Sequence, residues 1–409
     1  MMITIMKRTA IIGLVLIILL TSGITFLVTS AVFVVAGNNS ILGLPFNVSG
    51  KDGDTYDKLQ EVKAIIKKNY VEPVDDAKLM EGAVQGVAGA VGDPYTVYME
   101  PKDYKDFMVQ TQGSYAGIGV VVSADPKDNL ITVVAPFEDT PGEKAGVLPG
   151  DKIVKVNGQD VWGDKLDQAV SMMKGPKNTQ VTITIMREGE SQMRDLSITR
   201  DIIVIKTVKH RMLAGNIGYI RITMFDEKTS KDFDIALDDL YKKNIKGLII
   251  DVRDNPGGLL DQVVKIADRL VPKGTIVYTE DRNKDRKIEQ SDAEQVKVPL
   301  AILVNGGSAS ASEILSGAVK DHGKGVLVGT KTFGKGLVQT IFPLKDQSAV
   351  KVTISKYYTP NGISIQGTGI QPDVPVELPE ELKKTVSQIK EEEDTQLKKA
   401  IEVITEKIK

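Results

Sequence analysis

The sequence predicts a multidomain α/β protein, and three successive patterns along its 409 residues support that prediction. An apolar stretch comes first, short strands separated by turns occupy the middle, and strands alternate with amphipathic helices thereafter. Such alternation is typical of a layered α/β structure. Hydrophobic content of 42% and charged content of 26% are ordinary for a globular protein, and a net charge of -2 gives no reason to expect a nucleic-acid partner.

Residues 1–36 are predicted to form a signal-anchor transmembrane segment. Residues 10–36 are almost wholly apolar, which exceeds the roughly 20 residues that cross a bilayer. Lys7 and Arg8 precede the stretch, so the positive-inside tendency places the bulk of the chain outside the cytoplasm. A cleaved signal peptide ending near Ala36 is the alternative, although such a peptide has an apolar core of about 7–15 residues. The expected location is the bacterial cell membrane, with a single pass and an extracytoplasmic catalytic domain.

Four further regions follow a linker at 37–54. Apolar residues at helical spacing predict a helical region at 55–112, and short apolar runs between turns predict a β-rich domain at 113–200. The α/β core is expected at 201–378 and a charged helical tail at 379–409. Within the core, the predicted strands are 218–222, 247–252, 299–305, 325–329 and 336–343, and the predicted helices are 230–243, 261–270 and 310–320.

Ser310 lies in the run Gly-Gly-Ser-Ala-Ser-Ala-Ser-Glu at 306–313, where an apolar strand passes into a helix. The free N–H groups of a helix start can stabilise a negative charge, so the N–H of Ala311 is a natural oxyanion donor beside a serine nucleophile. The chain has no cysteine, which excludes a thiol nucleophile. A purely structural reading stays open, because Ser310 and Glu313 also fit a helix capping box.

Lys335 stands between Gly334 and Gly336, and a strand is predicted to follow. A lysine accepts a proton near neutral pH only if burial lowers its pKa well below about 10.4. Because alternate residues of a strand share one face, Gln339 could reach the Lys335 amine and orient it. A solvated surface lysine is the alternative. The two histidines are poor bases for Ser310, since His322 lies about 18 Å along the same helix and His210 falls in a charged stretch.

Two glycine turns complete the candidate residues. Gly257 and Gly258 follow a buried strand and could present a second backbone N–H to an oxyanion, although Asp251 and Asp254 could instead only brace that turn. In the β-rich domain, the turn Gly117-Ile118-Gly119 opens a strand. Its N–H groups could hold a carboxylate, and the strand edge could pair with an extended peptide.

An ATPase is a rival interpretation, because Gly329 and Gly334-Lys335 are one residue short of a Walker A loop. The motif requires Ser or Thr after the lysine, where this chain has Gly336, and it should open a helix rather than a strand.

Taken together, the motifs around Gly117, Ser310 and Lys335 resemble those of the carboxyl-terminal processing peptidases, which are tail-specific serine peptidases. The likeness runs from about residue 56 to the end. It implies that the β-rich domain is a PDZ domain that binds the free C-termini of protein or peptide substrates. It also implies a peptidase core of the crotonase or Clp-protease type that uses no metal and no cofactor.

The same resemblance assigns roles to residues of the core. It implies Ser310 as nucleophile, Lys335 as general base and Gln339 as the residue that positions the lysine, with Ala311 and the Gly257-Gly258 turn as the oxyanion hole. The resemblance therefore implies that the protein is a membrane-anchored endopeptidase that forms an acyl-enzyme. A non-catalytic PDZ scaffold or chaperone with a degenerate core is the alternative.

The resemblance further suggests a homodimer built by terminal helices, and regulatory protein partners. Family members often carry Arg-Gly after the PDZ helix, whereas this chain has Lys174-Gly175. Because arginine and lysine are not interchangeable, gating through this position is not expected to follow the family pattern.

Overall fold

The N-terminal part of the fold is mainly helical and contains one strand, which pairs with a strand of the core. The computed structural model describes residues 52–382, 386 and 389–409, so the predicted transmembrane segment 1–36 lies outside the described residues. Within the described ranges, no helix is both long and apolar enough to cross a bilayer. The elements of this part are α1 (Asp52–Asn69), α2 (Asp76–Gly89), β1 (Val97–Met99) and α3 (Pro101–Gln112).

The β-rich domain forms its own sheet around its own core, as its alternating apolar residues require. Ile131, Ile153 and Ile183 are fully buried in that core. The strand order is β3-β4-β5-β7-β8, so β3 is an edge strand, and β2 pairs separately with β9. The elements are β2 (Ser114–Gly117), β3 (Val120–Ala124), β4 (Ile131–Pro136), α4 (Pro141–Lys144), β5 (Lys152–Val156), β6 (Gln159–Asp160), α5 (Leu166–Met173), β7 (Gln180–Met186), β8 (Arg194–Thr199) and β9 (Asp201–Val204).

The core is built on a mainly parallel sheet with the order β10-β11-β12-β15-β16-β19, in which only the β10–β11 pair is antiparallel among the pairs described. Its central strands are buried on both faces, which explains their continuous apolar sequences. The elements are β10 (Val208–Leu213), β11 (Ile217–Ile222), α6 (Thr229–Lys242), β12 (Gly247–Asp251), α7 (Leu260–Asp268), β15 (Leu300–Val304), α8 (Ala311–Asp321), β16 (Gly325–Gly329) and β19 (Val374–Pro375).

All eight predicted strands and helices of the core are confirmed, with ends that differ by at most two residues. Successive residues of each strand face opposite sides of the parallel sheet. Ile250 and Ile302 pack toward α6, α7 and α8. Ile249 and Ala301 face the opposite side, where the C-terminal helix α9 (Thr395–Ile408) packs. The predicted helical tail is therefore confirmed only in its last part.

An antiparallel sheet, which the sequence interpretation described only in part, packs against helices α7 and α8 of the core. It consists of β1, β13 (Gly274–Asp281), β14 (Arg286–Ser291), β17 (Leu337–Pro343) and β18 (Ala349–Tyr358). The ten-residue strand β18 pairs with β1, β13 and β17. It thereby joins the N-terminal region to the strand that follows Lys335.

A buried ion-pair network attaches α9 to the parallel sheet. Arg253 is 1% exposed, and its guanidinium donates to both carboxylate oxygens of Asp251, at 3.0 and 2.7 Å, and of Asp394, at 3.0 and 2.8 Å. Asp394 also caps the start of α9 by accepting from the N–H of Leu397. Asp251 therefore has a structural partner of its own, consistent with the interpretation that it braces the region after β12.

Candidate active site

The candidate residues follow the carboxyl ends of three adjacent parallel strands. Gly257 and Gly258 come after β12, Ser310 comes after β15, and Lys335 comes after β16. Loops at this edge of a parallel sheet are the usual place for ligand and catalytic groups. The topology thus brings together residues that are distant in sequence.

Ser310 is fully buried and has an uncommon backbone conformation for a residue other than glycine, with φ 54°. Such a conformation is held by the surrounding structure rather than by local preference. The preceding N–H of Ala309 donates to the carbonyl of Asn255 at 3.0 Å, and the Ser312 hydroxyl donates to the same carbonyl at 2.9 Å. The loop after β12 therefore fixes the loop that carries Ser310.

Glu313 links the serine loop to the lysine loop. Its carboxylate is fully buried and accepts from the backbone N–H of Ser310 at 2.9 Å, of Lys335 at 2.8 Å and of Gly334 at 2.8 Å. The Thr332 hydroxyl donates to it at 2.6 Å. Burial raises the pKa of Glu313, whereas these four hydrogen bonds oppose that rise by stabilising the carboxylate. The sequence interpretation recognised only the bond to Ser310, as half of a capping box.

Lys335 is a buried amine rather than a surface lysine, with 1% of its surface exposed. Burial lowers its pKa to about 7, and repulsion from Lys351 acts in the same direction. Asp93 and Glu313 attract the charged form and limit the decrease. The Lys335 Nζ lies 4.6 Å from the centre of the Tyr95 ring, a distance typical of a cation–π contact.

Gly257 packs directly against the serine. A side chain there would place its Cβ 2.9 Å from the Ser310 Cβ and 3.0 Å from the Ala311 nitrogen, and its φ of 108° also favours glycine. The Gly257 N–H donates to the Asn255 side chain at 2.9 Å. Gly258 forms a bridge with Phe225 through the Gly257 carbonyl and the Leu259 N–H. The Gly258 N–H takes no part in these two bridge bonds.

Gln339 is buried, but its contacts differ from the simple strand expectation. β17 begins at Leu337, after the lysine, and a register shift between Val338 and Gln339 breaks the alternation, so both of these residues are buried. The Gln339 Nε2 donates to the Thr353 hydroxyl at 3.2 Å. Its Oε1 is buried and makes no hydrogen bond within the described part of the chain.

The site includes residues that the sequence interpretation missed. Tyr357 is buried, and its hydroxyl lies within hydrogen-bond distance of the carbonyls of Ser310 and Lys335. Lys351 is 3% exposed, and burial lowers its pKa to about 8. Asp93 and Tyr95 lie in the turn between α2 and β1. No local pattern marks these residues, because they meet the site through strand pairing.

In the β-rich domain, the 117–119 turn lies between β2 and the edge strand β3. Ile118 is buried in the domain core, and the carbonyls of Ile118 and Gly119 accept from Gly142 and Phe137 at 2.7 and 2.8 Å. Gly119 has φ 76°, and a Cβ there would approach Thr140 to 2.4 Å. Lys174 forms an ion pair with Asp106 of α3 at 3.3 Å.

The alternative candidates take other positions. His322 ends α8 and its Nε2 contacts the Thr275 carbonyl at 2.8 Å, while His210 pairs with Asp239 at 2.9 Å on a partly exposed strand. The lysine loop leads into strand β17, whereas a nucleotide-binding loop of the Walker type leads into a helix. The ATPase interpretation therefore lacks its required structural context.

Comparison with known proteins decides the family. The chain is 41% identical over 368 residues to a carboxy-terminal-processing protease of Bartonella bacilliformis, covering 86% of this chain and 84% of the relative. The chain belongs to peptidase family S41, whose family description matches residues 216–376. It is 40% identical to the carboxy-terminal processing protease CtpA of Bacillus subtilis, covering 87% of this chain and 76% of that protein. The predicted family resemblance is confirmed, and the chain is a member of the C-terminal processing serine proteases.

Three family descriptions match separate parts of this S41 peptidase. Peptidase family S41 matches residues 216–376, the PDZ domain matches 132–187, and the N-terminal domain of the activating protease CtpB matches 23–103. A solved structure of a putative S41 protease from Bacteroides fragilis is similar with a TM-score of 0.51 and 15% identity, covering 85% of this chain and 97% of that one. That likeness supports the multidomain α/β fold.

Glu313→Gln tests whether the carboxylate holds the two loops together. A glutamine has one acceptor oxygen, so its NH₂ group would face two of the four donors whichever way the amide turns. We expect a loss of about 2–4 kcal/mol in the free energy of unfolding, since buried donors are left unpaired. Urea denaturation followed by circular dichroism measures the loss.

The matched control for that substitution is Glu406→Gln, which changes an exposed carboxylate of α9. A change within about 0.5 kcal/mol is expected there. Equal stability of the two variants would show that Glu313 does not organise the site.

Proposed function

We propose that this S41 peptidase is a membrane-anchored, extracytoplasmic endopeptidase that cleaves proteins near their C-termini with Ser310 and Lys335 as a catalytic dyad. The observation that carries the proposal is the buried Lys335 amine, whose pKa is lowered to about 7. The backbone N–H groups of Lys335 and Ser310 both donate to the Glu313 carboxylate, which holds the two residues together. A neutral amine at physiological pH is what a general base requires.

The proposed reaction proceeds through an acyl-enzyme. The neutral Lys335 amine takes the hydroxyl proton of Ser310 as the serine oxygen bonds to the substrate carbonyl carbon. The resulting oxyanion receives hydrogen bonds from backbone N–H groups at Ala311 and the Gly257-Gly258 turn. Lys335 returns the proton to the leaving amine as the peptide bond breaks, and it then activates the water that hydrolyses the ester.

Two features support this oxyanion hole. Ala311 is the first residue of α8, and N–H groups in the first turn of a helix have no acceptor within that helix. Gly257 packs against it without a side chain, which leaves room for a substrate oxygen. The Gly257 N–H donates to the Asn255 side chain, so the N–H groups of Ala311 and Gly258 are the proposed oxyanion donors in this arrangement. The Gly257 N–H would become a third donor if its hydrogen bond to Asn255 were broken.

Substrate recognition is proposed for the PDZ domain. Its edge strand β3 directly follows the Gly117-Ile118-Gly119 turn, so an extended C-terminal segment can add a strand there. The turn is proposed to receive the terminal carboxylate through its backbone N–H groups. Binding of a peptide with a free C-terminus should therefore exceed that of the same peptide with an amidated end, as fluorescence anisotropy would measure.

A homodimer through the N-terminal helices is part of the proposal. Val62 and Ile65 of α1 and Val87 of α2 are 47%, 54% and 75% exposed, so they form apolar surface that a second copy can cover. Sedimentation equilibrium should give twice the 44.4 kDa chain mass, and Val87→Asp should shift it toward the monomer. Ile235→Asp, a similarly exposed site on α6, should not.

The membrane anchor at 1–36 is proposed from its apolar sequence and the basic residues before it. Alkaline carbonate extraction of membranes distinguishes the possibilities, because a spanning protein stays in the pellet and a peripheral one is released. Release of the chain would contradict the anchor without affecting the proposed chemistry. Protein partners that regulate the peptidase are proposed to act on the extracytoplasmic part.

Substitution of the dyad should abolish turnover. Ser310→Ala removes the nucleophile and Lys335→Ala removes the base, so each should reduce kcat by at least ~10²-fold while the fold persists. Mass spectrometry of a protein with an apolar C-terminal tail detects the fragments. Lys331→Ala, at an exposed position in the same loop, is the matched control. Full activity in either dyad variant would overturn the assignment, and tail binding without cleavage by the wild type would favour a scaffold.

The pH dependence should report the Lys335 amine. Because only the neutral form accepts a proton, kcat/KM should rise as pH increases through about 7. Lys351→Met removes a positive charge that lowers the pKa of Lys335, so the acidic limb should move to higher pH. The exposed Lys356→Met on the same strand should leave the limb in place. The charged and titratable groups that act on the amine are Lys351, Asp93, Glu313 and Tyr95, while the Tyr357 hydroxyl contacts the Lys335 backbone carbonyl.

If the limb stays in place in Lys351→Met, Lys351 does not tune the base. If it stays in place in both variants and lies far from pH 7, a group other than Lys335 limits the reaction.

A further inference from the structure

A polar turn of the N-terminal region is built into the site of the peptidase core. Asp93 Oδ2 accepts from the Thr353 hydroxyl at 2.6 Å and from the Thr96 hydroxyl at 2.7 Å, and its Oδ1 accepts from the Tyr95 N–H at 3.1 Å. Strand β1 begins just after this turn and pairs with β18 from Val97↔Lys351 onward. The turn is thus held against the strand that carries Thr353.

The direction of these hydrogen bonds determines how Gln339 is oriented. An ionised carboxylate only accepts, so the single hydroxyl hydrogen of Thr353 is directed to Asp93. The Thr353 oxygen can then only accept from Gln339, which requires the NH₂ end of the carboxamide to face it. The Gln339 Nε2 indeed lies 3.2 Å from the Thr353 hydroxyl oxygen. Burial raises the pKa of Asp93, but hydrogen bonds from Thr353, Thr96 and Tyr95 outweigh it and hold the pKa below its usual value, which favours this ionised form.

The opposite end of the same carboxamide is a buried oxygen without a hydrogen-bond donor among the described residues. A buried acceptor left unpaired costs free energy, so such an atom calls for an explanation. During the proposed reaction Lys335 becomes an ammonium, which has three N–H donors and is costly to bury without acceptors. An acceptor that is satisfied only when Lys335 is charged would stabilise the transition state more than the resting state.

We propose that Asp93 is a positioning residue, which acts through Thr353 to turn the Gln339 carboxamide so that its oxygen is kept for the protonated Lys335. This inference rests on the proposed dyad and adds a third component to it, contributed by the N-terminal region. The same turn places the Tyr95 ring 4.6 Å from the Lys335 Nζ. One segment therefore supplies both the orientation of Gln339 and an aromatic face for the amine.

Asp93→Asn is the sharpest test because it preserves the shape of the side chain at position 93. It reverses the direction of the hydrogen bonds from Asp93 through Thr353 to Gln339, which we call the relay. The Tyr95 N–H requires an acceptor at the Oδ1 position, so the new NH₂ group occupies the Oδ2 position and donates to Thr353. The Thr353 hydroxyl then donates to Gln339, whose carboxamide turns over and presents NH₂ to the lysine. We expect kcat to fall ~10²-fold, the scale of a general-base contribution, with KM unchanged.

Further variants separate positioning from a structural role. Thr353→Val breaks the relay without reversing it, so its loss of kcat should be smaller, on the order of 10-fold, and Thr353→Ser should recover most of that loss. Asp75→Asn, which changes the exposed N-cap of α2, is the matched control and should retain the wild-type rate. In a Gln339→Ala background, Asp93→Asn should cause no further decrease in kcat on the alkaline plateau of the pH profile, where Lys335 is neutral with or without the Asp93 charge, because the residue through which it acts is gone.

The proposal is overturned if Asp93→Asn keeps at least half of the wild-type kcat, or if its effect is undiminished in the Gln339→Ala background. A second measurement does not depend on activity. The side-chain NH₂ resonance of Gln339, assigned by its loss in Gln339→Ala, should shift in Asp93→Asn and stay in place in Asp75→Asn. An unshifted resonance in Asp93→Asn overturns the relay, whereas a wild type that fails to cleave contradicts the proposed function alone.

Discussion

The buried carboxylate of Glu313 is the constraint on which the geometry of the site depends. It accepts the backbone N–H groups of Ser310 and Lys335 with the same oxygen, so the two loops cannot separate without leaving donors unpaired. A side chain placed three residues into α8 thus fixes the relation between residues that follow two different strands. The capping-box reading and the catalytic reading of Ser310 are therefore compatible, because the contact that caps the helix also holds the lysine loop.

The environment of Lys335 explains how a lysine can be neutral so close to two carboxylates. Burial is the largest influence on its pKa and lowers it, and the second buried amine, Lys351, adds repulsion. Asp93 and Glu313 attract the ammonium, yet each is engaged by hydrogen bonds to other groups. The site is thus poised between the two protonation states rather than committed to one. That balance suits a group that must take and return a proton in each half of the reaction.

The sequence was most informative where burial determines the pattern. The parallel strands β11, β12, β15 and β16 were predicted to within two residues because both of their faces are covered, which leaves continuous apolar runs such as 300–304, whereas the two-residue strand β19 was not predicted. Ser310 and Lys335 could be proposed as candidates because glycines and small residues mark both loops. Asp93 could not, since its contact with Thr353 joins residues 260 positions apart. The register shift before Gln339 was equally hidden, because a bulge depends on pairing with β18 rather than on residues of β17 alone.

The placement of Asp93 and Tyr95 also brings the N-terminal region to the Lys335 amine. Helix α2 ends a few residues before the Asp93 turn, and β1 follows it, so the exposed apolar helices and the lysine environment share one short segment. If two copies pair through α1 and α2, as proposed, the association holds that segment between the partner and β18. The Asp93–Thr353 and Thr353–Gln339 contacts would then connect that segment to the Gln339 carboxamide. Since Ser310 is fully buried in this arrangement, the proposed attack on a substrate requires a local rearrangement, and one that kept the Glu313 contacts would leave the serine and lysine loops joined.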